Sequence, residues 1–474
     1  MKKILAILMT FMLTLTGCSI AEGYEENDEY GEYNEDLWND PKYHRHGNYV
    51  YEIMEDGSAS ICDWHGDETY LEIPSELDGY TVTRIGDYGL SSGYALSYVK
   101  FPDTLRSLGE CVLSGNEYID TIDLPESLSE IAINPFEHCY GLRSINASPD
   151  NINLASIDGV LFSKADKRLV SYPIGLEDEQ YSIPNGIRII GERAFSSCKL
   201  QSIYIPDTVI EIEENAFCFC SELRAITLPE SLESIGKAAF NYCSQLTAVT
   251  LPDSIEQIGG NPFVGCYAMS KVSVSPEHPY LATIDGVLFS KPEKRLLWFP
   301  ASSDIQDYSV PQGIKEIGDS SFLGCSSLHT LHLPDSVITI EDGAFWDMDE
   351  LTNITLLEGV TSIGANAFTG CYNLESINVP STVSSIGDGA FMSCGGLSSF
   401  VWPEGVTTIG SDMFADCWNL QSLTIPASVK EIADYTFPDY GECVINVERD
   451  SYAAEYCKKF GYKYTYPDAD DWLN

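Results

Sequence analysis

Cysteine is the reactive residue with the most regular spacing in this chain. Nine cysteines each stand three residues after a repeated phenylalanine: Cys139, Cys198, Cys220, Cys243, Cys266, Cys325, Cys371, Cys394 and Cys417. Regular cysteines suggest disulfides or metal ligands. Parallel side chains of stacked repeats fit the disulfide dihedral poorly, however, and Met348 takes the same place in one repeat. We therefore expect a column of buried, unpaired thiols that pack as small hydrophobic groups.

No other residues form a recognisable catalytic arrangement. His329 and His332 are three residues apart on a predicted strand, so they face opposite sides and cannot chelate one metal ion. His44 and His46 flank Arg45, which leaves a weak metal site as an alternative there. The chain has no phosphate-binding glycine loop, zinc-protease helix motif or nucleophile elbow. The sequence thus predicts no enzyme, and no catalytic, cofactor-binding or metal-binding residues.

Two irregular sets of residues are candidate ligand contacts. An aromatic residue directly follows the column cysteine in four repeats, at Tyr140, Tyr267, Tyr372 and Trp418. Cations are concentrated in two predicted hairpin turns, at Lys164, Lys167, Arg168, Lys291, Lys294 and Arg295. Aligned rings can stack on sugars or grip an apolar side chain, and a local cationic protrusion can orient an acidic partner. Packing of the rings against the protein itself, and ordinary solvated turns, are the alternatives.

Acidic residues dominate the composition. The 474 residues include 26 Lys and Arg against 72 Asp and Glu, a formal net charge of -46. Such a surface repels phosphate backbones, so nucleic acid is excluded as a partner. Acidic turn residues such as Asp207, Glu230 and Asp253 fit turn preferences, with calcium bridging between neighbouring repeats as the alternative.

The first residues are typical of an export signal. Two lysines precede an apolar run that is too short to span a bilayer, and the tetrapeptide Leu-Thr-Gly-Cys ends it at Cys18. This ending resembles the bacterial lipobox, which implies a signal peptide over residues 1–17 and a lipid anchor on Cys18, with the protein facing outward from the membrane. Residues 18–47 carry many carboxylates and are expected to form an acidic flexible tether.

A repeat of 23 residues organises the rest of the chain. Prolines mark the repeat at positions 206, 229 and 252, at 311 and 334, and at 380, 403 and 426, with Leu357 in one proline place. Two intervals of 59 residues, from Pro125 to Pro184 and from Pro252 to Pro311, contain the related insertions SIDGVLFSKADKRLVSYP and TIDGVLFSKPEKRLLWFP. A period of this length predicts a solenoid with one coil per repeat.

The repeat LRAITLPESLESIGKAAFNYC shows how one coil is built. Its alternating apolar residues predict a short parallel strand that Pro229 ends, then a second short strand up to Ile235, Gly236, and a single helical turn that packs Phe240 and Cys243. Glu213 and Glu341 replace the glycine of this pattern, so that position does not strictly require a positive φ.

The pattern L-x-x-I-x-L-P-x-S-V-x-x-I-G-x-x-A-F-x-x-C resembles the BspA-type leucine-rich repeats of bacterial surface proteins. The resemblance implies a β-rich solenoid with an N-terminal cap unit at 48–75, coils over 76–440 and hairpin insertions near 150–183 and 277–310. A strand-helix-strand cap and tail at 441–474 complete it. In that cap, Asp450 or Ser451 suits the start of a helix, Lys458 and Lys459 its last turn, and Gly461 its end.

The same resemblance implies a surface protein that recognises or adheres to an extracellular protein or glycan, and the lipobox adds a lipid anchor. The sequence does not give the oligomeric state, and a monomer is assumed. Its small, polar strand face is a further candidate for recognition. The competing interpretations are an accessory envelope or polysaccharide-handling protein, an enzyme with an unrecognised site, and a structural spacer.

Overall fold

The computed structural model describes residues 40–91, 95–438 and 443–467. The chain divides into two compact units. Unit 1 comprises Met1–Leu246 and Ser254–Pro262, and unit 2 comprises Thr247–Asp253 and Phe263–Asn474. The expected signal peptide, the expected lipidation site Cys18 and most of the expected tether lie outside the described residues.

Most coils contribute two short strands, and the predicted β-solenoid is confirmed. First strands pair in parallel with first strands of adjacent coils, and second strands do the same. The first strands are Tyr70–Glu72, Tyr98–Lys100, Thr121–Leu124, Ser144–Ala147, Gln180–Ser182, Ser202–Tyr204, Ala225–Thr227, Ala248–Thr250, Lys271–Ser273, Asp307–Ser309, Thr330–His332, Asn353–Thr355, Ser399–Val401, Ser422–Ile425, Val444–Val447 and Tyr464–Thr465. The second strands are Tyr80–Ile85, Ser107–Leu108, Glu130–Ile131, Ile189–Ile190, Glu211–Ile212, Ser234–Ile235, Gln257–Ile258, Glu316–Ile317, Thr339–Ile340, Ser362–Ile363, Ser385–Ile386, Thr408–Ile409 and Glu431–Ile432.

The side chains of a first strand alternate between the core and the solvent. In Ala225–Thr227 the central Ile226 is buried while its two neighbours are exposed, as a strand with one solvated face requires. The serine or threonine two residues after the repeat proline ties one coil to the next. Ser231 Oγ, for example, donates to the Val209 carbonyl oxygen at 2.7 Å. This bond satisfies a turn carbonyl and explains the hydroxyl residue of the repeat pattern.

Phenylalanines form the third side of each coil. In unit 1 the Phe217 and Phe240 rings stack with centroids 5.2 Å apart, and in unit 2 Phe368 and Phe391 stack at 5.3 Å. The backbone is left-handed on both sides of a typical phenylalanine, as at Asn215 (φ 53°) and Phe219 (φ 56°) around Phe217. These left-handed residues limit the corner to single turns that do not extend into a helix.

The column cysteines are buried and form no disulfide bonds, as the sequence predicts. Their thiols also make contacts that the pattern does not reveal. In six coils the Sγ atom donates to a carbonyl oxygen of the preceding coil, for example from Cys394 to Phe368 at 3.2 Å and from Cys243 to Phe217 at 3.2 Å. Burial raises the pKa of the Cys417 thiol to about 12, so the protonated donor form persists at neutral pH.

Three antiparallel meanders interrupt the parallel coils, and each begins a new sheet of second strands. Unit 1 contains the first meander (Tyr43–His46, Tyr49–Ile53 and Ala59–Trp64) and the second (Leu154–Ile157, Val160–Ser163 and Arg168–Ser171). Unit 2 contains the third (Leu281–Ile284, Val287–Ser290 and Arg295–Trp298). The second and third meanders are the two predicted hairpin insertions. The short strand Glu76–Leu77 pairs antiparallel with Tyr80–Ile85.

Close approach between coils explains the repeat glycine. A Cβ atom on Gly236 would lie 2.4 Å from the Glu214 backbone nitrogen, although Gly236 has no positive φ. Glu213 and Glu341, which replace this glycine, also have no positive φ, as predicted.

The termini of the described chain differ in how well the sequence predicts them. The helix Tyr452–Phe460 begins at Ser451, whose side chain accepts from the Ala454 backbone N–H, and ends at the left-handed Gly461. At the other end the tether boundary at residue 47 is wrong. Residues Tyr43–His46 form a strand, and His46 Nδ1 lies 2.8 Å from Asp78 Oδ1. Among the described residues, no helix has the length and apolar character needed to cross a membrane.

Candidate recognition surface

The cations of the second meander contact their own unit. Arg168 forms an ion pair with Glu213, a residue two coils further on that replaces the repeat glycine. Arg168 Nε also lies 2.8 Å from Asp166 Oδ2. Lys164 Nζ donates to the Asn151 carbonyl oxygen at 2.5 Å. The glutamate in the glycine position and the hairpin arginine therefore form one ion pair, which holds the meander against the coils that follow it.

The third meander repeats this arrangement in unit 2. Arg295 pairs with Glu341, the other glutamate that replaces a repeat glycine, and Lys291 Nζ donates to the His278 carbonyl oxygen at 2.5 Å. Four of the six predicted hairpin contacts are thus engaged within the protein. Lys167 and Lys294 are exposed at the left-handed tips of the turns, and their side chains form no hydrogen bond or ion pair with the described residues.

A buried polar side chain anchors the start of each of these two meanders. In unit 1, Asn151 Oδ1 accepts from the backbone N–H groups of Asn153 and Leu154 at 2.8 Å each, and Asn151 Nδ2 donates to Leu128 O at 2.8 Å. The anchor therefore combines one acceptor with one donor.

Imidazole performs the same task in unit 2. His278 Nδ1 accepts from Tyr280 N–H and Leu281 N–H at 3.1 Å each, and Nε2 lies 3.1 Å from the Pro252 carbonyl oxygen. Because both backbone N–H groups donate, the imidazole proton is assigned to Nε2. His278 is therefore a structural residue.

The residues of the aromatic row belong to two units and differ in their surroundings. Tyr140 of unit 1 is half-buried, and its hydroxyl lies 3.3 Å from His138 Nδ1. Tyr267 of unit 2 covers the next coil, since its Cε1 atom lies 2.7 Å from where a Cβ of Gly324 would be. Each of these two rings therefore packs partly against the protein itself.

Tyr372 and Trp418 remain as the two aromatic residues that unit 2 places near each other on an open edge. Tyr372 is 39% exposed and Trp418 is 58% exposed. They stand two coils apart, and Gly395 holds the corresponding position between them. A Cβ on Gly395 would lie 3.9 Å from Trp418 Cδ1 and 3.8 Å from the Tyr372 carbonyl oxygen, so the indole lies beside this glycine.

Carboxylates surround these two rings. Burial, followed by the charges of Asp347, Asp349 and Asp416, raises the pKa of Tyr372 to about 12. Burial, followed by the charge of Asp349, raises the pKa of Asp347 to about 7. The sequence analysis missed these acids because each stands at an ordinary turn position.

A buried polar cluster in unit 1 also escaped the sequence analysis. Glu137 lies 2.8 Å from Ser196 Oγ and 3.4 Å from Arg193 Nη1, and its neighbours include His138 and Cys111. Burial lowers the pKa of His138 and raises that of Cys111, which opposes both a charged imidazole and a thiolate nucleophile. Among residues 40–91, 95–438 and 443–467, no group of three or more His, Cys, Asp or Glu could hold a metal ion.

Solved structures of bacterial leucine-rich repeat proteins resemble this chain. A leucine-rich cell surface protein from Faecalibacterium prausnitzii is 23% identical, with 88% of this chain and 97% of that chain covered and a TM-score of 0.45. The pneumococcal vaccine antigen PcpA is 17% identical, with 90% and 98% covered and a TM-score of 0.43. A leucine-rich repeat protein from Bacteroides ovatus is 21% identical, with 89% and 99% covered and a TM-score of 0.36. No curated protein matches the chain.

The family assignment rests on the repeats themselves. The pattern described as the BspA type leucine-rich repeat region (6 copies) matches residues 69–178, 175–291 and 315–443. These ranges include the coils that carry the phenylalanine and cysteine columns, and proteins built on such solenoids generally act by binding other molecules. The chain belongs to the family of BspA-type leucine-rich repeat proteins.

Proposed function

We propose that this protein is a lipid-anchored surface protein of a bacterium that binds an extracellular protein or glycan through unit 2. The observation that carries the proposal is the exposure of Tyr372 (39%) and Trp418 (58%) at one edge of the unit. Tyrosine and tryptophan supply a large part of the binding energy at many protein interfaces, and their faces also stack on sugars.

The hairpin cations contribute less to the proposal than the aromatic residues. Arg168 and Arg295 hold the meanders in place through Glu213 and Glu341, so a partner would have to displace existing ion pairs to use them. Of the six predicted residues, Lys167 and Lys294 are the ones whose side chains form no hydrogen bond or ion pair in the described part of the chain. We therefore assign recognition to the aromatic edge first.

An array of extracellular matrix proteins and glycans, probed with the purified full chain, tests this function. The wild-type protein is expected to bind at least one arrayed molecule, and the Tyr372→Ala/Trp418→Ala variant to bind it at least tenfold more weakly. Tyr118→Ala is the matched control, since Tyr118 is a 67% exposed tyrosine of unit 1. Absence of binding to every arrayed molecule, or equal binding by all three proteins, would contradict the proposal.

The anchor is tested separately. Cells that express the full chain and grow with a clickable fatty acid are expected to label the wild-type protein and leave Cys18→Ala unlabelled, because the lipobox cysteine would receive the lipid. Equal labelling of the two proteins would show that Cys18 is not the lipidated residue.

A further inference from the structure

The edge that carries Tyr372 and Trp418 extends over four successive coils of unit 2. In each coil two residues flank the column position: Asp347 and Asp349 around Met348, Gly370 and Tyr372 around Cys371, Ser393 and Gly395 around Cys394, and Asp416 and Trp418 around Cys417. Aromatic, acidic and very small residues therefore alternate on one short stretch of surface. We call this stretch the aromatic-acidic edge.

The spacing of the two rings suits a cation between them. Adjacent coils are about 4.8 Å apart, so residues two coils apart have backbones separated by about 10 Å. A cation within about 6 Å of a ring centroid is attracted to the ring face. On this backbone spacing, a guanidinium or ammonium group midway between Tyr372 and Trp418 is about 5 Å from each residue, which is within that distance.

Packing does not explain the glycine between the rings. Gly395 has no positive φ, and an added Cβ would meet its nearest neighbours only at 3.8 and 3.9 Å, which is ordinary contact. By contrast, Gly387 of the same unit would place a Cβ 2.3 Å from the Ala365 backbone nitrogen. The coil can therefore carry a side chain at position 395, and its absence leaves space between the two rings.

The charge of this part of unit 2 indicates the chemistry of the occupant. The sequence between Lys315 and Lys430 has no lysine or arginine and contains fourteen aspartates and glutamates. Among the described residues Glu341 pairs with Arg295, and this arginine lies outside the stretch. Such a field attracts cations over about 8 Å at physiological ionic strength and repels sulfated or sialylated glycans. A neutral sugar gains nothing from it.

We infer that the aromatic-acidic edge is a docking surface for an arginine- or lysine-bearing segment of a partner protein. This inference rests on the proposed binding function and narrows the partner to a basic protein segment. Tyr372 and Trp418 receive the cationic side chain between their rings. Asp347, Asp349 and Asp416 neutralise its charge and set its position along the edge.

Calorimetric titration of the purified full chain with a Gly-Arg repeat peptide, at physiological salt, tests the inference. The same peptide with citrulline in place of arginine keeps the shape of the side chain and removes its charge. We expect one saturable site for the arginine peptide and at least tenfold weaker binding of the citrulline peptide. Absence of arginine-peptide binding, or equal binding of the two peptides, overturns the inference.

Two kinds of variant separate this site from general attraction to an acidic protein. Asp349→Asn/Asp416→Asn removes two charges that act on Tyr372, and Asp416 has a φ of 58°, where asparagine is tolerated. Asp207→Asn/Glu230→Gln removes two charges from exposed turns of unit 1. The first pair should weaken binding at least tenfold and the second less than twofold. Equal losses in both pairs contradict a specific site.

Filling the space between the rings gives an independent test that keeps every proposed contact. Gly395→Leu should weaken binding at least tenfold, whereas Ser221→Leu, the corresponding position in a coil of unit 1, should have no effect. Unchanged binding by Gly395→Leu overturns the placement of the cation.

The array used for the proposed function distinguishes failure of this inference from failure of the proposed function. If an arrayed partner binds and the aromatic-acidic edge variants bind it normally, this inference fails while the proposed function stands. If only neutral glycans bind through Tyr372 and Trp418, the surface is confirmed and the basic partner is wrong. If the arginine peptide binds the edge but no arrayed molecule does, the proposed function fails instead.

Discussion

Units 1 and 2 use the same coil and treat its aromatic edge in opposite ways. In unit 1, Phe219 and Tyr242 occupy adjacent coils and stack on each other, with ring centroids 5.1 Å apart and an interplanar angle of 11°. In unit 2, Tyr372 and Trp418 are two coils apart with Gly395 between them. The first pair is joined by its own stacking, whereas the second pair is separated by a coil that carries no side chain at this position.

The number of positively charged residues also differs between the two units. The coils of unit 1 between Pro184 and Ile258 carry five cations, at Arg188, Arg193, Lys199, Arg224 and Lys237. The coils of unit 2 between Lys315 and Lys430 carry none. Since both regions keep the phenylalanine and cysteine columns, the difference lies on the surface and leaves the core unchanged. The residues that recur in every repeat therefore specify the scaffold, and departures from the repeat alter the surface.

The largest expected effect tests whether the phenylalanine stacks stabilise each unit to the same extent. Phe217→Ala in unit 1 and Phe368→Ala in unit 2 should each lower the free energy of unfolding by about 3–5 kcal/mol, because each removes a fully buried ring from a stack. Urea unfolding followed by circular dichroism measures both. Phe219→Ala is the control, with an expected loss of about 1 kcal/mol for its half-buried stacked ring. A large loss in the free energy of unfolding for one of the two variants alone would show that the stacks do not stabilise both units in the same way.

The second effect concerns the meander clamps. Glu341→Gly restores the repeat glycine but leaves Arg295 without its carboxylate, so we expect a loss of about 1–3 kcal/mol in the free energy of unfolding. Glu213→Gly should cost a similar amount in unit 1 through Arg168. A double-mutant cycle of Glu341→Gly with Arg295→Gln isolates the pair. Stabilisation by either glycine would show that the ion pairs do not hold the meanders.

The third effect is a pH dependence confined to unit 2. Burial raises the pKa of Asp347 to about 7 in the folded protein, above its ordinary value of 3.8, so the folded state favours the protonated acid. The resulting stability is present below pH 4 and is lost as the pH rises through about 7. Asp347→Asn should therefore stabilise the protein by about 1–2 kcal/mol at pH 8 and have little effect at pH 4. Urea unfolding at the two pH values checks this, and equal effects at both would contradict it.

The smallest effect concerns the two anchors. His278→Asn should change the free energy of unfolding by less than about 1 kcal/mol, because Asn151 makes the same pattern of bonds in unit 1, whereas His278→Ala should cost about 2 kcal/mol or more. Thermal unfolding of both variants distinguishes them. A loss in His278→Asn as large as that in His278→Ala would mean that the two meanders are anchored differently.

The sequence predicted the parts of this protein that are encoded locally or by repetition. The 23-residue period predicted the coils, and Met348 in the cysteine place predicted buried thiols without disulfides. Asp450 or Ser451, Lys458 and Gly461 predicted the terminal helix. Each of these depends on spacing alone, which a single sequence displays.

Contacts between distant positions could not be predicted in the same way. The pairing of Arg168 with Glu213 joins residues that belong to different coils, and neither pattern indicates the other. A weak signal existed, since both hairpin arginines are followed later by a glutamate in a glycine place. The acids around Tyr372 carried no signal of their own, because proximity on this edge depends on how successive coils stack.

Photo-crosslinking of the arginine peptide to the purified full chain tests the central claim most directly. A peptide with a photoreactive group beside its arginine should crosslink mainly within residues 347–418, and excess unlabelled peptide should suppress those crosslinks. Crosslinks centred on Phe219 and Tyr242 of unit 1, or spread over the acidic turns of both units, would contradict the account.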